Sequence, residues 1–236
     1  MNKGLNGYWT AYLIIHGPKQ KNLHPLESWI LLHAPTVKAT RERFGIFQRV
    51  LQSHLKDNMT LASIPCGLMD DLLTLNYAHK KNVRLVGIDL DKHSLELAQK
   101  QSETLKIDNV EFRQSDAWEI KSTEEFDIIT SNGLNIYEPD DEKVTALYKA
   151  LKSGGILITS FLTSPPSLSN ESPWKNVNPQ DALKQKVIFG EIIGVAWQVF
   201  RTEEKTRKQL EEAGFEVLEV IPDSQGIFPT VVAKKR

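Results

Sequence analysis

The sequence predicts an α/β fold built on a doubly wound, mostly parallel sheet, and three observations carry that expectation. From Thr60 onward, short apolar runs of strand character alternate with helical patterns. The run Val83–Leu90 ends on an acidic residue, Asp89, immediately before a helix. The chain closes on two strand patterns with no helix between them. Alternating strands and helices bury a parallel sheet beneath helices on both faces, with right-handed crossovers. Two strands joined by a turn pair antiparallel.

The elements follow in order. Residues 1 to about 57 show no strand alternation and are divided into helical pieces by Pro18, Pro25 and Pro35. The last piece, Thr36 to Leu55, has Phe44, Phe47, Val50, Leu51 and Leu55 at helical spacing. Strands are expected at Thr60–Cys66, Val83–Leu90, Val110–Asp116, Phe126–Asn132 and Gly155–Thr163. Helices are expected between them at Leu68–Lys81, Lys92–Leu105 and Asp140–Leu151. Asp91 is placed to cap the second of these helices, and Gly154-Gly155 to stop the third. The proline-rich stretch that starts at Ser164 breaks the rhythm, holding Pro165, Pro166, Pro173 and Pro179. It reads, together with a helical stretch from Pro179 to Val199, as a lid-like insertion over about 164–200. A helix at Thr202–Ala213, stopped by Gly214, precedes the closing strands Phe215–Ile221 and Thr230–Lys234. The chain therefore divides into an N-terminal helical cap, 1–57, and a sheet domain, 58–236.

Composition narrows the partners. The 236 residues are 40% hydrophobic and 25% charged, with a formal net charge of −1. Such a balance is globular and gives no overall attraction to nucleic acid or anionic membrane. The clusters Lys80-Lys81 and Lys234-Lys235-Arg236 read as solvated surface. No apolar stretch approaches the ~20 residues of a membrane span. The N-terminus lacks a cleavable leader pattern, and the single cysteine, Cys66, excludes an intrachain disulfide. Both point to the reducing cytoplasm. A metal site is not expected.

The candidate site lies at the strand ends, where open α/β sheets bind ligands. Asp89 can accept hydrogen bonds from both hydroxyls of a nucleoside ribose. Asp70 and Asp71, after the first strand, read as helix first-turn acids. Asn132, Asn135 and Tyr137 crowd one loop. His16, His24 and His33 lie in the N-terminal helices, where a histidine has a pKa suited to a general base. Tyr8, Trp9 and Tyr12 form an aromatic cluster for which core packing is the favoured reading. Trp174 and Trp197 are hydrophobic anchors or pocket walls. Cys66 reads as a small buried hydrophobe.

The order of these motifs resembles the class I S-adenosylmethionine (SAM)-dependent methyltransferases over about residues 60–236. The resemblance implies a seven-stranded sheet whose last strand is antiparallel. The first motif is Leu61-Ala62-Ser63-Ile64-Pro65-Cys66-Gly67-Leu68-Met69-Asp70. It keeps one glycine, Gly67; Pro65 and Met69 stand where the family has glycine, and Ser63 where it has an acid. Ser63, Pro65, Cys66 and Gly67 are thereby implied to border the methionine end of the donor. Asp89 and Leu90 are implied to hold ribose and adenine. Asp116, Ala117 and Trp118, in Gln114-Ser115-Asp116-Ala117-Trp118, are implied at the adenine. Ser131, Asn132 and Gly133, in Asp127–Tyr137, are implied beside the methyl-donor pocket. The junctions Leu151–Ile158 and Leu210–Val217 match the family's later motifs.

The implied function is methyl transfer to a small molecule, driven by proximity and exclusion of water. The catalytic residue is left open. Tyr12, His16, Asn135, Tyr137, Trp174 and Trp197 are candidates for the substrate side, and the protein is expected as a monomer or homodimer. A small acceptor is favoured because the fourth motif lacks an Asn/Asp-Pro-Pro-aromatic signature and because no basic stripe is present. Two alternatives stay open: a non-catalytic SAM-binding regulator, and an RNA or protein methyltransferase. A dinucleotide oxidoreductase is disfavoured, since no G-x-G-x-x-G follows the first strand.

Overall fold

The computed structural model describes residues 6–121, 123–195, 197 and 199–236. Residues 1–5 of the expected cap, Ser122, and Ala196 and Gln198 of the expected insertion lie outside the described residues.

The N-terminal pieces are helical, as their proline punctuation predicts. Helix α1 (Gly7–Ala11) is capped by the Asn6 side chain, which accepts from Trp9 N–H, and runs into a wide turn over Tyr12–His16. Helix α2 (Pro25–Ser28) begins on a proline inside a reciprocal His24–Glu27 cap and widens over Trp29–His33. Helix α3 (Pro35–His54) also starts on proline, whose missing N–H costs nothing at a first helical position. Its stripe Ile46, Phe47, Val50 and Leu51 is buried.

The sheet region then alternates as expected. In chain order come β1 (Thr60–Ser63), α4 (Asp70–Leu73), β2 (Arg84–Asp89), α5 (Lys92–Thr104), β3 (Val110–Gln114), β4 (Phe126–Ser131), α6 (Asp141–Leu147), β5 (Leu151–Ser160), α7 (Pro179–Gln185), α8 (Glu203–Glu212), β6 (Phe215–Ile221) and β7 (Thr230–Lys235). The seven strands lie in the order β3-β2-β1-β4-β5-β7-β6. Neighbours are parallel except β7, which pairs antiparallel with both β5 and β6. This is the expected doubly wound class. The winding direction reverses between β1 and β4, so a crevice opens at their C-terminal ends.

Both faces of the sheet are covered. Leu61, Leu85, Ile128 and Ile158 join Phe47 and Leu51 of α3, Leu72 of α4 and Leu95 of α5 in one core. Ala62, Val86, Ile129 and Leu157 point the other way, to Val144 and Leu147 of α6 and Leu210 of α8. The switch at each successive residue is the two-residue period of a strand. Helix α3 is therefore part of the helical layer on the sheet. No described helix is long and apolar enough to cross a membrane.

Four expectations are corrected. The helix expected over Leu68–Lys81 is the single turn α4, because Thr74 Oγ1 donates to Asp70 O and the Gln52 side chain of α3 pairs with both backbone groups of Asn76. Gly154-Gly155 does not stop a helix. The strand has already begun at Leu151, opposite Phe126, and Gly154 at φ +76 lies where the β4–β5 register shifts. The helix expected to reach Val199 becomes α7 plus a wide turn, Lys186–Ile193, ended by Gly194 at φ +72. Tyr8 and Trp9 are 42% and 50% exposed, so they do not pack in the core as expected.

Candidate active site

The site grows from the turn after β1. Gly67 adopts φ +52, a left-handed conformation suited to glycine, and Met69 follows at φ +59. Gly67 N–H donates to Asp89 Oδ2 at 2.7 Å, and Asp91 N–H donates to Asp89 Oδ1 at 2.9 Å. Asp89 thus locks the first turn to the end of β2. Asp91 in turn caps α5, accepting from His93 N–H. A carboxylate offers about four lone-pair sites. These two bonds leave acceptor capacity for a ligand.

The N-terminal segment closes directly over this turn. A Cβ on Gly7 would stand 2.6 Å from Gly67 Cα, so only glycine lets α1 lie this close. Asn6, Gly7, Thr10 and Ala11 form the roof of a hollow whose floor is Pro65 to Asp71 and Asp89.

One residue of that floor, Asp71, is a buried acid. Ser63 Oγ donates to Asp71 Oδ1 at 3.2 Å and to Oδ2 at 3.0 Å, and Thr130 Oγ1 donates to Oδ2 at 2.6 Å. Burial lifts the Asp71 carboxyl to about 6, with the two hydroxyls pulling the other way. The neighbouring Asp70 accepts from Gln101 Nε2 at 2.6 Å; burial raises its pKa as well, opposed by that bond and by His16. Burial, aided by Asp89 and Asp71, also pushes the Cys66 thiol upward and keeps it protonated.

The hollow encloses about 890 Å³ of space, partly open to solvent. A second hollow of about 650 Å³ adjoins it. Thr10, Ile14, Thr40, Arg43, Asn132 and Tyr137 belong to both, which makes them compartments of one crevice. The second has mostly apolar walls, including Leu13, Val37, Ile136, Phe189, Trp197 and Phe228. Trp197 stacks on Phe189 at 6.1 Å between ring centres, and its Nε1–H donates to Tyr137 Oη at 3.2 Å.

The expected residues fall into three groups. Pro65, Cys66, Gly67 and Asp89 line the first hollow, Gly133 and Trp197 the second, and Asn132 and Tyr137 both. A second group is absent from the walls of both hollows. The Ser63 hydroxyl is engaged by Asp71. Ser131 is buried, its carbonyl accepting from Thr159. Asp116 caps the turn Ala117–Glu119 by accepting from Trp118 N–H, at the end of β3 beside Asp89. Trp118 lies under Lys143 Nζ, 5.0 Å from its ring centre. Leu90 is 65% exposed on the same rim. Asn135 is buried next to the loop, its backbone carbonyl held by Arg201. The third group stands apart from the lining. Tyr12 packs edge-on against Trp9. His16 is exposed in the wide turn after α1. Trp174 joins a cluster with Leu162 and Phe228, its indole N–H donating to Thr163 Oγ1.

The sequence reading passed over Arg43, Thr10 and the role of Asp71. A readable signal existed for Arg43: it lies four residues from both Ala39 and Phe47, in phase with the buried stripe of α3. For Asp71 the signal was weaker. Which of two consecutive acids turns inward depends on where Ser63 and Thr130 meet across β1 and β4.

A doubly wound sheet with an acid at the end of its second strand and a glycine turn after its first defines a nucleoside-binding α/β protein. Residues 55–214 match the methyltransferase-domain family, and the chain belongs to it: this is a SAM-dependent methyltransferase of class I fold. It is 25% identical to the demethylmenaquinone methyltransferase of Alkalihalophilus pseudofirmus over 174 residues, 69% of this chain and 72% of that protein. It is 25% identical over 202 residues to the ubiquinone/menaquinone biosynthesis C-methyltransferase UbiE of Campylobacter jejuni, covering 80% and 83%. A solved structure described as a possible exported protein from Bordetella parapertussis is 45% identical, with TM-score 0.92 over 99% of this chain and 80% of that one. The magnesium protoporphyrin IX methyltransferase of Synechocystis, solved with bound S-adenosylhomocysteine (SAH), shares the fold at TM-score 0.63 and 16% identity, over 98% of this chain and 94% of that one.

Proposed function

We propose that this methyltransferase acts on a small molecule held in the second hollow, with SAM in the first. The single observation that carries this reading is the shared wall of the two compartments. Thr10, Asn132 and Tyr137 border both, so a donor on the Gly67–Asp89 side and an acceptor on the Trp197 side meet inside the crevice.

The residues present fit the donor. Asp89, held by the Gly67 and Asp91 N–H groups, has acceptor capacity left for the ribose hydroxyls, while the bare face of Gly67 itself is taken up by Gly7 of α1. The Ser63 hydroxyl, expected beside the donor's ammonium, is turned to Asp71 instead, and Asp71 supplies the negative charge that serine lacks. Asp116, Ala117, Trp118 and Leu90, on the rim beyond Asp89, are assigned to the adenine end. Ser131, Asn132 and Gly133 are assigned to the methyl-bearing end.

SAM supplies a methyl group on a sulfonium, an already activated leaving group. The chain's task is then to hold, orient and exclude water. The roof of α1 and the apolar walls Leu13, Phe189, Trp197 and Phe228 do the last of these. Two curated relatives are named as a demethylmenaquinone methyltransferase and a ubiquinone/menaquinone biosynthesis C-methyltransferase, both acting on small molecules. The apolar walls of the second hollow suit an acceptor with an apolar body.

The test is turnover. The protein with methyl-labelled SAM is given a protein-free, RNA-free metabolite extract, and label is followed by mass spectrometry. A labelled small molecule that disappears with Asp89→Ala supports the reading. Label found only when protein or RNA is supplied in place of the extract rejects it.

A further inference from the structure

Among the described residues, Arg43 is a buried cation without a counter-ion. It is 7% exposed on α3, and its one side-chain hydrogen bond among the described residues runs from Nη1 to Ser160 Oγ at 3.1 Å. Its Nε is buried with no acceptor among the described residues. The guanidinium also lies over the Phe228 ring, 4.9 Å from its centre. Asp223 is the acid whose field reaches it, but that carboxylate accepts from the N–H groups of Gln225 and Phe228 and makes no ion pair with Arg43.

Arg201, the other buried arginine among the described residues, also has an unpartnered Nε but does have a counter-ion. Arg201 binds the Asp141 carboxylate and the carbonyls of Asn135 and Glu138. A buried charge is normally paired, because desolvation costs more than a single neutral hydrogen bond returns. Burial does push the Arg43 guanidinium down, to about 10, with Tyr137 and Asp223 opposing, and it remains a cation at neutral pH. A ring contact offsets only part of the lost hydration.

The location explains the exception. Arg43 forms wall in both compartments, among Leu13, Val37, Phe189, Trp197 and Phe228 in the second. An apolar hollow with one unpaired guanidinium is complementary to an apolar molecule bearing one carboxylate, for which arginine offers a charge-assisted fork. We infer that Arg43 is the specificity-determining residue of the acceptor site, and that the acceptor is an apolar, ring-bearing carboxylic acid bound as its carboxylate. This rests on the reading of the second hollow as the acceptor compartment.

The test uses matched probes on the full chain loaded with SAH: benzoate, 1-naphthoate and 1-naphthylacetate against the three corresponding primary amides. Binding is read by calorimetry and by quenching of tryptophan fluorescence. At least one acid should bind wild type roughly tenfold or more tightly than its amide, the scale of a charged hydrogen bond. That preference should fall below about threefold in Arg43→Gln and return in Arg43→Lys, which restores charge without the fork. The wild-type comparison stands even if Arg43→Gln does not fold. SAH binding measured on the same protein separates the two readings. If SAH binds and no acid outcompetes its amide, the assignment of Arg43 is overturned while donor binding stands. If wild type does not bind SAH, the reading of the whole crevice falls, and this inference with it.

Discussion

At the scale of single residues, two carboxylates do different jobs because their surroundings differ. Asp89 stays at the crevice edge, tied to two backbone N–H groups with acceptor capacity to spare. Replacing it with alanine should weaken SAH binding by about 1.5–3 kcal/mol, the range for hydrogen bonds to a charged group. Calorimetry on the folded variant checks this, and unchanged affinity removes the ribose assignment. Asp71 is enclosed, and burial raises its carboxyl to about 6. Between about pH 4 and 6 the folded chain therefore keeps a proton that the unfolded chain has released. The stability held in this proton is full below about pH 4 and is lost as pH rises through about 6. Asp71→Asn cannot ionise. The stability difference between wild type and this variant, measured by urea unfolding across that window, should shift by roughly 3 kcal/mol in the variant's favour as pH rises. A difference that stays flat with pH contradicts the burial account. The serine at Ser63 was visible in the sequence as a departure from an acidic position. Its hydrogen bond to Asp71 was not, because that bond joins the end of a strand to the first turn of a helix packed below it.

At the scale of elements, the crevice depends on two close approaches. Helix α1 lies against the Gly67 turn because Gly7 has no side chain there. Gly7→Val places atoms within 3 Å of backbone and should lift α1 off the turn. SAH affinity should fall by at least about 1 kcal/mol while global unfolding changes little, since α1 buries only Ala11. Equal losses in affinity and stability would instead make α1 part of the core. Helix α3 behaves in the opposite way. Phe47 and Leu51 are fully buried against the sheet, so Phe47→Ala should cost about 3–5 kcal/mol of stability, measured by denaturant unfolding. The elements with strong periodicity were legible almost to the residue: α3, α5, β6 and β7 each end within one or two residues of their expected bounds. The exceptions share a cause. The single turn α4 and the early start of β5 are decided by Gln52 pinning Asn76 and by Phe126 pairing with Leu151. Those partners are remote in sequence, and local propensity is blind to them.

At the scale of the whole molecule, the N-terminal region and the sheet share one hydrophobic core through α3. A chain cut to 58–236 should therefore fail to fold cooperatively, because Leu61, Leu72 and Ile128 would lose their cover. Circular dichroism and thermal melting of that fragment test it; a sharp melt close to that of the full chain would show that the sheet domain stands alone. The sequence by itself determined the class of fold, the antiparallel end of the sheet and the acidic strand end at Asp89. Those features follow from period-two and period-3.6 patterns, turns and caps, which are local. Only the tertiary structure decided that Arg43 and Asp71 face the crevice, and that Trp174 and Tyr12 do not line it. Facing is set by how helices sit on the sheet, and that is a property of side chains brought together from distant parts of the chain.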